Sequence, residues 1–491
     1  MGALSMLTLL LTHPHEFRTL VQFYLYHEPK RDITAKREHD TSGWDRASMR
    51  RCWELLDLTS RSFAAVVKEL EGDLARAICL FYVVLRGLDT IEDDMTIPDD
   101  VKQPLLRSFH EKTLTPGWTF NGNGPDEKDR IVLVDYDKVV TEVGLLKPAY
   151  RDVIISVCQK MQVGMADYAH RAATTGAISL DSVADYDLYC HFVAGLVGEG
   201  LSSIWAASGL ETALFADQLE LSNSMGLLLQ KTNIIRDFRE DCDERRFFWP
   251  REVWARAEYG APGTGELKEI TALLRPENAQ RAAWVQSGMV LDALRHAVDA
   301  LDYLRLVRNQ SVFNFCAIPA VMAMATLNLC FMNPEMFQRN IKIRKAEAAK
   351  LIMRSTNPRE VAYTFREYAR SIHKKATPAD PNFLRISVAC CKIEQWAEHH
   401  FPSFVHVMQS KVSSGASQVI DPNDARSRIA KAASEKDALA AAQRQPAAGA
   451  APARRGDEGP PMEVLLFAGG MVLAILGLSA LVVWVMLKIY D

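Results

Sequence analysis

The chain has 491 residues, 48% of them hydrophobic, with a formal net charge of −4 at pH 7, enough apolar content for one large core or two smaller ones. So small a charge, spread over the whole length, excludes a nucleic-acid protein that relies on a general basic field. Nine cysteines at irregular spacing, with no CxxC pair, give no sign of a disulfide framework and fit a reducing compartment.

The apolar patch from Leu4 to Leu11 has no basic region before it and no small-residue cleavage site, and His13 and Pro14 follow directly, so it does not read as a signal peptide. Residues 1–50 are set apart as an N-terminal segment. From about Trp53 to Phe401 helical periodicity dominates without alternating strands, which predicts an all-α domain over residues 51–411. Within it, a long apolar run starts near Leu74, with Asp73 as its expected N-cap, and ends in Arg86-Gly-Leu-Asp89-Thr-Ile-Glu92-Asp93-Asp94. At about 100° per residue, Tyr82, Arg86, Asp89, Glu92 and Asp93 fall on one stripe, about a third of the helix circumference wide, and Asp94 falls off it. Carboxylates so placed repel one another unless positive charge sits between them. Oxygen-only donors of this kind suit Mg²⁺ rather than zinc. Pro98 is expected to stop the helix, and a loop rich in Gly, Asn and Pro runs from Thr113 to Asp126.

Gly195-Leu-Val-Gly198-Glu-Gly200 follows no strand and has its glycines in the wrong order for a dinucleotide fingerprint, so it reads as close helix packing. A second acidic stretch comes in Gln230-Lys-Thr-Asn233-Ile-Ile-Arg236-Asp237-Phe-Arg-Glu240-Asp241, where Asn233, Asp237 and Asp241 recur every four residues on one face. One such cluster alone would be read as a solvated helix end. Two, each on an otherwise apolar helix, predict facing walls that hold metal ions and grip a diphosphate. The uncharged stretch from Phe313 to Met332 reads as a buried helix, because Asn314, Pro319, Thr326 and Asn328 interrupt it. Residues 412–462, rich in Ala, Ser, Gln and Pro, form a linker. Within 463–491, Val464 to Leu487 carries no charge over 24 residues, whereas roughly 20 suffice to span a bilayer. Few residues follow that span, which leaves the bulk of the chain in the cytosol. No P-loop, HExxH or GxSxG motif is present.

Five stretches in order, Thr59-Ser-Arg-Ser-Phe63, Leu85 to Asp94, Tyr189 to Gly198, Gln230 to Asp237 and Ser311 to Pro319, resemble the squalene synthase family. The resemblance implies the all-α isoprenoid synthase fold and two half-reactions in one cavity. Two farnesyl diphosphates would condense to presqualene diphosphate, which NADPH would reduce to squalene for sterol synthesis. It also implies a monomer, tail-anchored in the endoplasmic reticulum membrane. Asp89, Glu92 and Asp93 match the family's first magnesium motif, and Asn233, Asp237 and Asp241 the second. Arg61 and Arg86 match phosphate-binding positions for substrate or cofactor, and Tyr189 matches the tyrosine assigned as base in the first half-reaction. Arg236, Lys342 and Arg344 match cofactor-contacting positions. Tyr82, on the stripe of the first acidic cluster, and Gln230, at the head of the second, are candidates for substrate contact. Phe63, Phe247, Phe248 and Phe315 are candidates to line the cavity and face carbocations. Arg245-Arg-Phe-Phe-Trp-Pro250 has phenylalanine where the family often has a polar residue, with Arg246 as the matching arginine. Two rival readings remain: a phytoene- or dehydrosqualene-type synthase that uses no NADPH, and an inactive membrane-tethered helical scaffold.

Overall fold

The computed structural model describes residues 9–26, 31–60, 63–260 and 265–403. Arg61, the linker and the C-terminal apolar segment therefore lie outside the described residues. Helix α1 (Pro14–Tyr26) buries Phe17 and Leu20. Helix α2 (Ala47–Ser60) runs through residue 50, where the N-terminal segment was expected to end.

Helix α3 (Leu74–Glu92) is apolar almost all round, and only Arg76, Tyr82, Arg86 and Asp89 of its 19 residues escape full burial. A helix of that composition belongs in the middle of a domain, and its half-open residues Tyr82, Arg86 and Asp89 mark the one side that faces a cavity. Asp73 holds the N-cap position but does not cap. Its carboxylate instead accepts the Tyr150 hydroxyl at 3.0 Å and pairs with Lys147 at 2.6 Å. The helix stops well before Pro98, because Asp94 Oδ1 takes the Thr96 N–H (2.9 Å) and hydroxyl (2.6 Å), a local turn that competes with further helix.

The long helix α4 (Pro148–Thr175) ends at Gly176, whose φ of +79° supplies the left-handed stop. Strand β1 (Ile178–Ser179) and helix α5 (Val183–Cys190) follow, then a π-helical turn at His191–Gly195 that leads into α6 (Leu196–Ser208). Helix α7 (Leu219–Arg236) crosses this stretch backbone to backbone. A methyl group added to Gly198 would lie 2.3 Å from the Ser222 carbonyl oxygen, and one on Gly226 would lie 2.4 Å from that of Ala194. The glycine-rich stretch is thus a helix crossing, as its order predicted.

Helix α7 pauses at Asp237 (φ −92°, ψ 7°) before α8 (Phe238–Asp243). The second acidic stretch is therefore not one regular helix. The bonds from Asp237 N to Asn233 O (2.8 Å) and Asp241 N to Asp237 O (2.9 Å) still keep the three side chains on one side. Strand β2 (Arg246–Phe247) pairs in parallel with β1, Ile178 opposite Arg246, and this two-residue pair is the one sheet among the described residues. Helices α9 (Ala297–Leu306) and α10 (Gln310–Cys330) pack against α7. α10 is long and apolar enough to cross a membrane, yet 72% of its apolar window is buried in protein. It is a core helix, as its internal Asn and Pro residues implied. Helices α11 (Lys345–Arg354), α12 (Pro358–Lys375) and α13 (Phe383–His400) complete the described bundle.

Forced apart at this crossing, the helices lose packing that no side-chain rotation restores. Gly198→Val is expected to destabilise the protein by about 1–3 kcal/mol in urea unfolding. Gly144→Ala, whose added methyl meets nothing within 4 Å, should unfold like the parent, and equal behaviour of the two variants would contradict the crossing.

Candidate active site

Two adjoining cavities open between α3, α5, the π-helical turn, α7 and α8. The apolar one, about 290 Å³, is lined by Phe63, Phe81, Tyr82, Leu201, Leu229 and Phe315 among others. The polar one, about 400 Å³, is lined by Asp89, Glu92, Asp93, Asn233, Arg236, Asp237, Asp241 and Arg246, with Tyr189 and Phe248 in its wall. Arg86, Asp89, Val193 and Gln230 line both, so one continuous space passes from carboxylates to hydrocarbon. The two acidic stretches do face each other across it.

Between them lies Arg246. Its guanidinium reaches Asp93 on one wall at 3.1 Å and Asp241 on the other at 3.0 Å, with Glu244 at 2.9 Å. Backbone geometry puts it there: Arg245 takes a left-handed conformation (φ +61°), which reverses the chain, and β2 pairing then fixes Arg246. Phe247, expected to line the cavity, lines neither one. Side chains alternate along an extended segment, so Arg246 and Phe248 share one side and Phe247 takes the other, where it packs on the core. Phe248 stacks on Tyr189 with ring centroids 4.9 Å apart, and Tyr168 meets Tyr189 edge-on at 5.1 Å. Phe63 and Phe315 touch at 5.1 Å in the apolar cavity.

The acids are held at a cost in charge. Burial pushes Asp89 up to about 6, with Arg86 opposing and Asp93 and Asp129 reinforcing the shift. Burial likewise pushes Asp241 up to about 7, against the pull of Arg246. Glu92 is raised well above the carboxylate range by burial and by its neighbours Asp93 and Asp89, and its Oε1 is buried without a hydrogen-bond partner. Among the described residues no three carboxylates converge as a ready-made metal site. The donors nonetheless fit Mg²⁺, an ion held by one or two carboxylates together with waters and substrate phosphates. An orphaned buried oxygen and excess negative charge are what a cation would relieve. Tyr189 keeps its proton: burial, then the fields of Glu92 and Asp93, raise its pKa well above the usual phenol value.

Arg236 was projected to point beside the metal face. Its long side chain swings back, and its guanidinium grips Asp237 through two bonds of 2.8 and 2.5 Å. Lys342 and Arg344 are not with it; they line a separate cavity of about 670 Å³. Three contributors escaped the sequence reading. Asn340 donates to both Asp237 and Glu240 at 2.6 Å, Lys102 donates to the Glu92 carbonyl at 2.7 Å from a buried position, and Asn123 braces Asp94 at 3.0 Å. Asn340 and Asn123 sit in irregular segments, where no periodicity signals a face. Lys102 lies on the amphipathic helix Asp99–Arg107, where a lysine reads as solvated.

The sequence profile of the squalene/phytoene synthase family matches residues 56–347. A squalene synthase of Ganoderma lucidum is 64% identical over 439 residues, covering 89% of this chain and 93% of that relative. One of Schizosaccharomyces pombe is 47% identical over 396 residues, covering 81% and 83%. Among solved structures, TcSQS in complex with the ligand E5700 matches with a TM-score of 0.67 at 38% identity, covering 72% of this chain and 99% of that one.

Because burial holds the folded pKa of Asp241 above the ordinary 3.8, its share of stability is present below that value and is lost as pH rises to about 7. Asp241→Asn should therefore melt higher than the parent at pH 8 in chelator, with the gap closing toward pH 4. A lower melting temperature at pH 8 would show that the Arg246 contact outweighs the burial of charge.

Proposed function

This chain belongs to the squalene/phytoene synthase family, with its all-α isoprenoid synthase fold, and from that premise we propose that it joins two farnesyl diphosphates head to head and converts the product to squalene. The observation that carries the reading is the shared boundary of the two cavities at Arg86, Asp89, Val193 and Gln230. A diphosphate with a long hydrocarbon tail needs such a space: charge-bearing groups for its head and a dry apolar wall for its tail.

In this reading Asp89, Glu92 and Asp93 on one wall, and Asn233, Asp237 and Asp241 on the other, hold Mg²⁺. Bound there, Mg²⁺ would neutralise charge that develops on the departing diphosphate. Arg86, fixed beside Asp89 at 3.5 Å, offers its planar fork to phosphate oxygens, and Gln230 adds a contact at the boundary. Arg246, which spans the two walls, would offer its guanidinium to the diphosphate. Arg61 is proposed from its motif alone. Tyr82, Phe63 and Phe315 shield the tail and the cations it forms from water. Tyr189 takes part in the proton loss of the first half-reaction. Burial and the fields of Glu92 and Asp93 hold the proton on its phenol oxygen, the atom through which a proton would pass.

NADPH is proposed for the second half-reaction, held by Lys342 and Arg344 in their own cavity, while Arg236 serves the Asp237 side. The domain plan follows the same reading. Residues 51–411 catalyse, 412–462 tether, and 463–491 anchor the protein to the endoplasmic reticulum membrane, with the catalytic mass in the cytosol as a monomer.

Incubation with farnesyl diphosphate and Mg²⁺ should yield presqualene diphosphate without NADPH and squalene with it, identified by mass spectrometry. A C30 polyene formed without cofactor would favour a dehydrosqualene-type reaction. Asp89→Asn and Asp237→Asn should each lower farnesyl diphosphate consumption by about 10²–10³-fold, the scale of losing one preorganised electrostatic contact, at unchanged far-UV circular dichroism. Ending the chain after Ser410 should give a soluble enzyme of near-parental turnover; a folded but inactive product would mean that the tail does more than anchor.

A further inference from the structure

The cavity that holds Lys342 and Arg344 has a wall that the family profile does not include. Helix α1 lies outside the matched residues 56–347, yet His15, Glu16 and Thr19 line this cavity together with Arg339, Lys342 and Arg344. α1 is seated there by apolar contact: Leu20, with Leu9 and Phe23 beside it, packs on Ala346 and Ala349 of α11. That contact presents Glu16 to Arg344, whose Nη1 donates to Glu16 Oε1 at 2.5 Å.

The charge pattern makes this pair different from its neighbours. Four lysines and arginines line the cavity: Arg339, Lys342, Arg344 and Lys350. Arg339 pairs with Glu335 and Lys350 with Glu347, each within four residues along the chain. Lys342 makes no ion pair among the described residues. Arg344 alone is engaged by an acid from a distant element, 328 positions earlier in sequence. A phosphate entering the cavity meets Lys342 directly but has to take Arg344 from Glu16.

We propose that α1 is a wall of the cofactor site and that Glu16 is a built-in competitor for Arg344, setting how tightly the protein holds a phosphorylated nicotinamide nucleotide. This rests on the assignment of NADPH to Lys342 and Arg344. When the nucleotide's phosphate approaches, the Glu16–Arg344 pair opens and the guanidinium turns to the phosphate, for which its planar fork is well shaped. The Arg344 side chain is 62% exposed, so water screens the pair and the competition is modest. Exposed pairs of this kind correspond to about a two- to fivefold effect on binding. The apparent affinity is the intrinsic one reduced by the fraction of molecules in which Arg344 is free.

The test is direct binding of NADPH to the full-length protein in detergent, followed by nucleotide fluorescence, for the parent, Glu16→Gln, Arg344→Gln and the double variant. Glu16→Gln keeps the size and polarity of this partly buried side chain and removes only its charge. It should lower Kd by about two- to fivefold. Arg344→Gln should raise Kd, and the double variant should match Arg344→Gln, because Glu16 acts through that arginine. An unchanged or raised Kd for Glu16→Gln, beside a raised Kd for Arg344→Gln, overturns the competitor role and leaves the cofactor assignment standing. Parental binding by Arg344→Gln and by Lys342→Gln overturns the cofactor assignment, and the role of Glu16 with it.

Discussion

Carboxylates on two helices face each other across a small cavity, and their mutual repulsion is the constraint around which this protein is arranged. Burial already makes the charges of Asp89, Glu92 and Asp241 unfavourable, and carboxylates of the same sign nearby make them more so. The protein answers with its own cations. Arg246 bridges Asp93 and Asp241, Arg236 grips Asp237, and Arg86 stands beside Asp89. None of these satisfies Glu92, whose buried Oε1 keeps no partner. A site so balanced favours a ligand that brings cations and carries phosphate oxygens to share them.

The scaffold supplies the closeness that the site needs. α7 can carry Gln230, Asn233 and Asp237 up to the opposite wall because Gly198 and Gly226 remove the side chains that would hold it off. The π-helical turn at His191–Gly195 sits at this crossing and begins two residues after Tyr189. A two-residue strand pair, too short to count as architecture, holds Arg246 between the acids. Here the smallest element of the fold places a central side chain, and the long helices serve to position it.

Two regions of opposite character share that scaffold. The carboxylate-lined cavity is acidic and lies among the central helices, whereas the Lys342–Arg344 cavity carries four lysines and arginines and is partly walled by the N-terminal helix. Asn340, two residues before Lys342, donates to Asp237 and Glu240 of the acidic cavity.

The sequence by itself determined the helical class, the two acidic stripes and the buried nature of α10. Those are properties of one helix at a time: the angle between residues is fixed at about 100°, so Tyr82, Arg86 and Asp89 share a side in any helix. It also marked the glycine stretch as packing, because the order of the glycines excluded the alternative. Only the tertiary structure decided which long-range partners meet. Arg246 reaches Asp93 from 153 positions away, and Asn340 reaches Asp237 from 103 positions away. Helical projection placed the backbone of Arg236 well, but a long flexible side chain turns back to the nearest carboxylate, and rotation angle says nothing of that. Phe247 was misjudged because the strand that turns it away depends on β1, a segment remote in sequence. Periodicity describes how a chain coils on itself; which coils touch is settled by packing and by charge across the gaps between them.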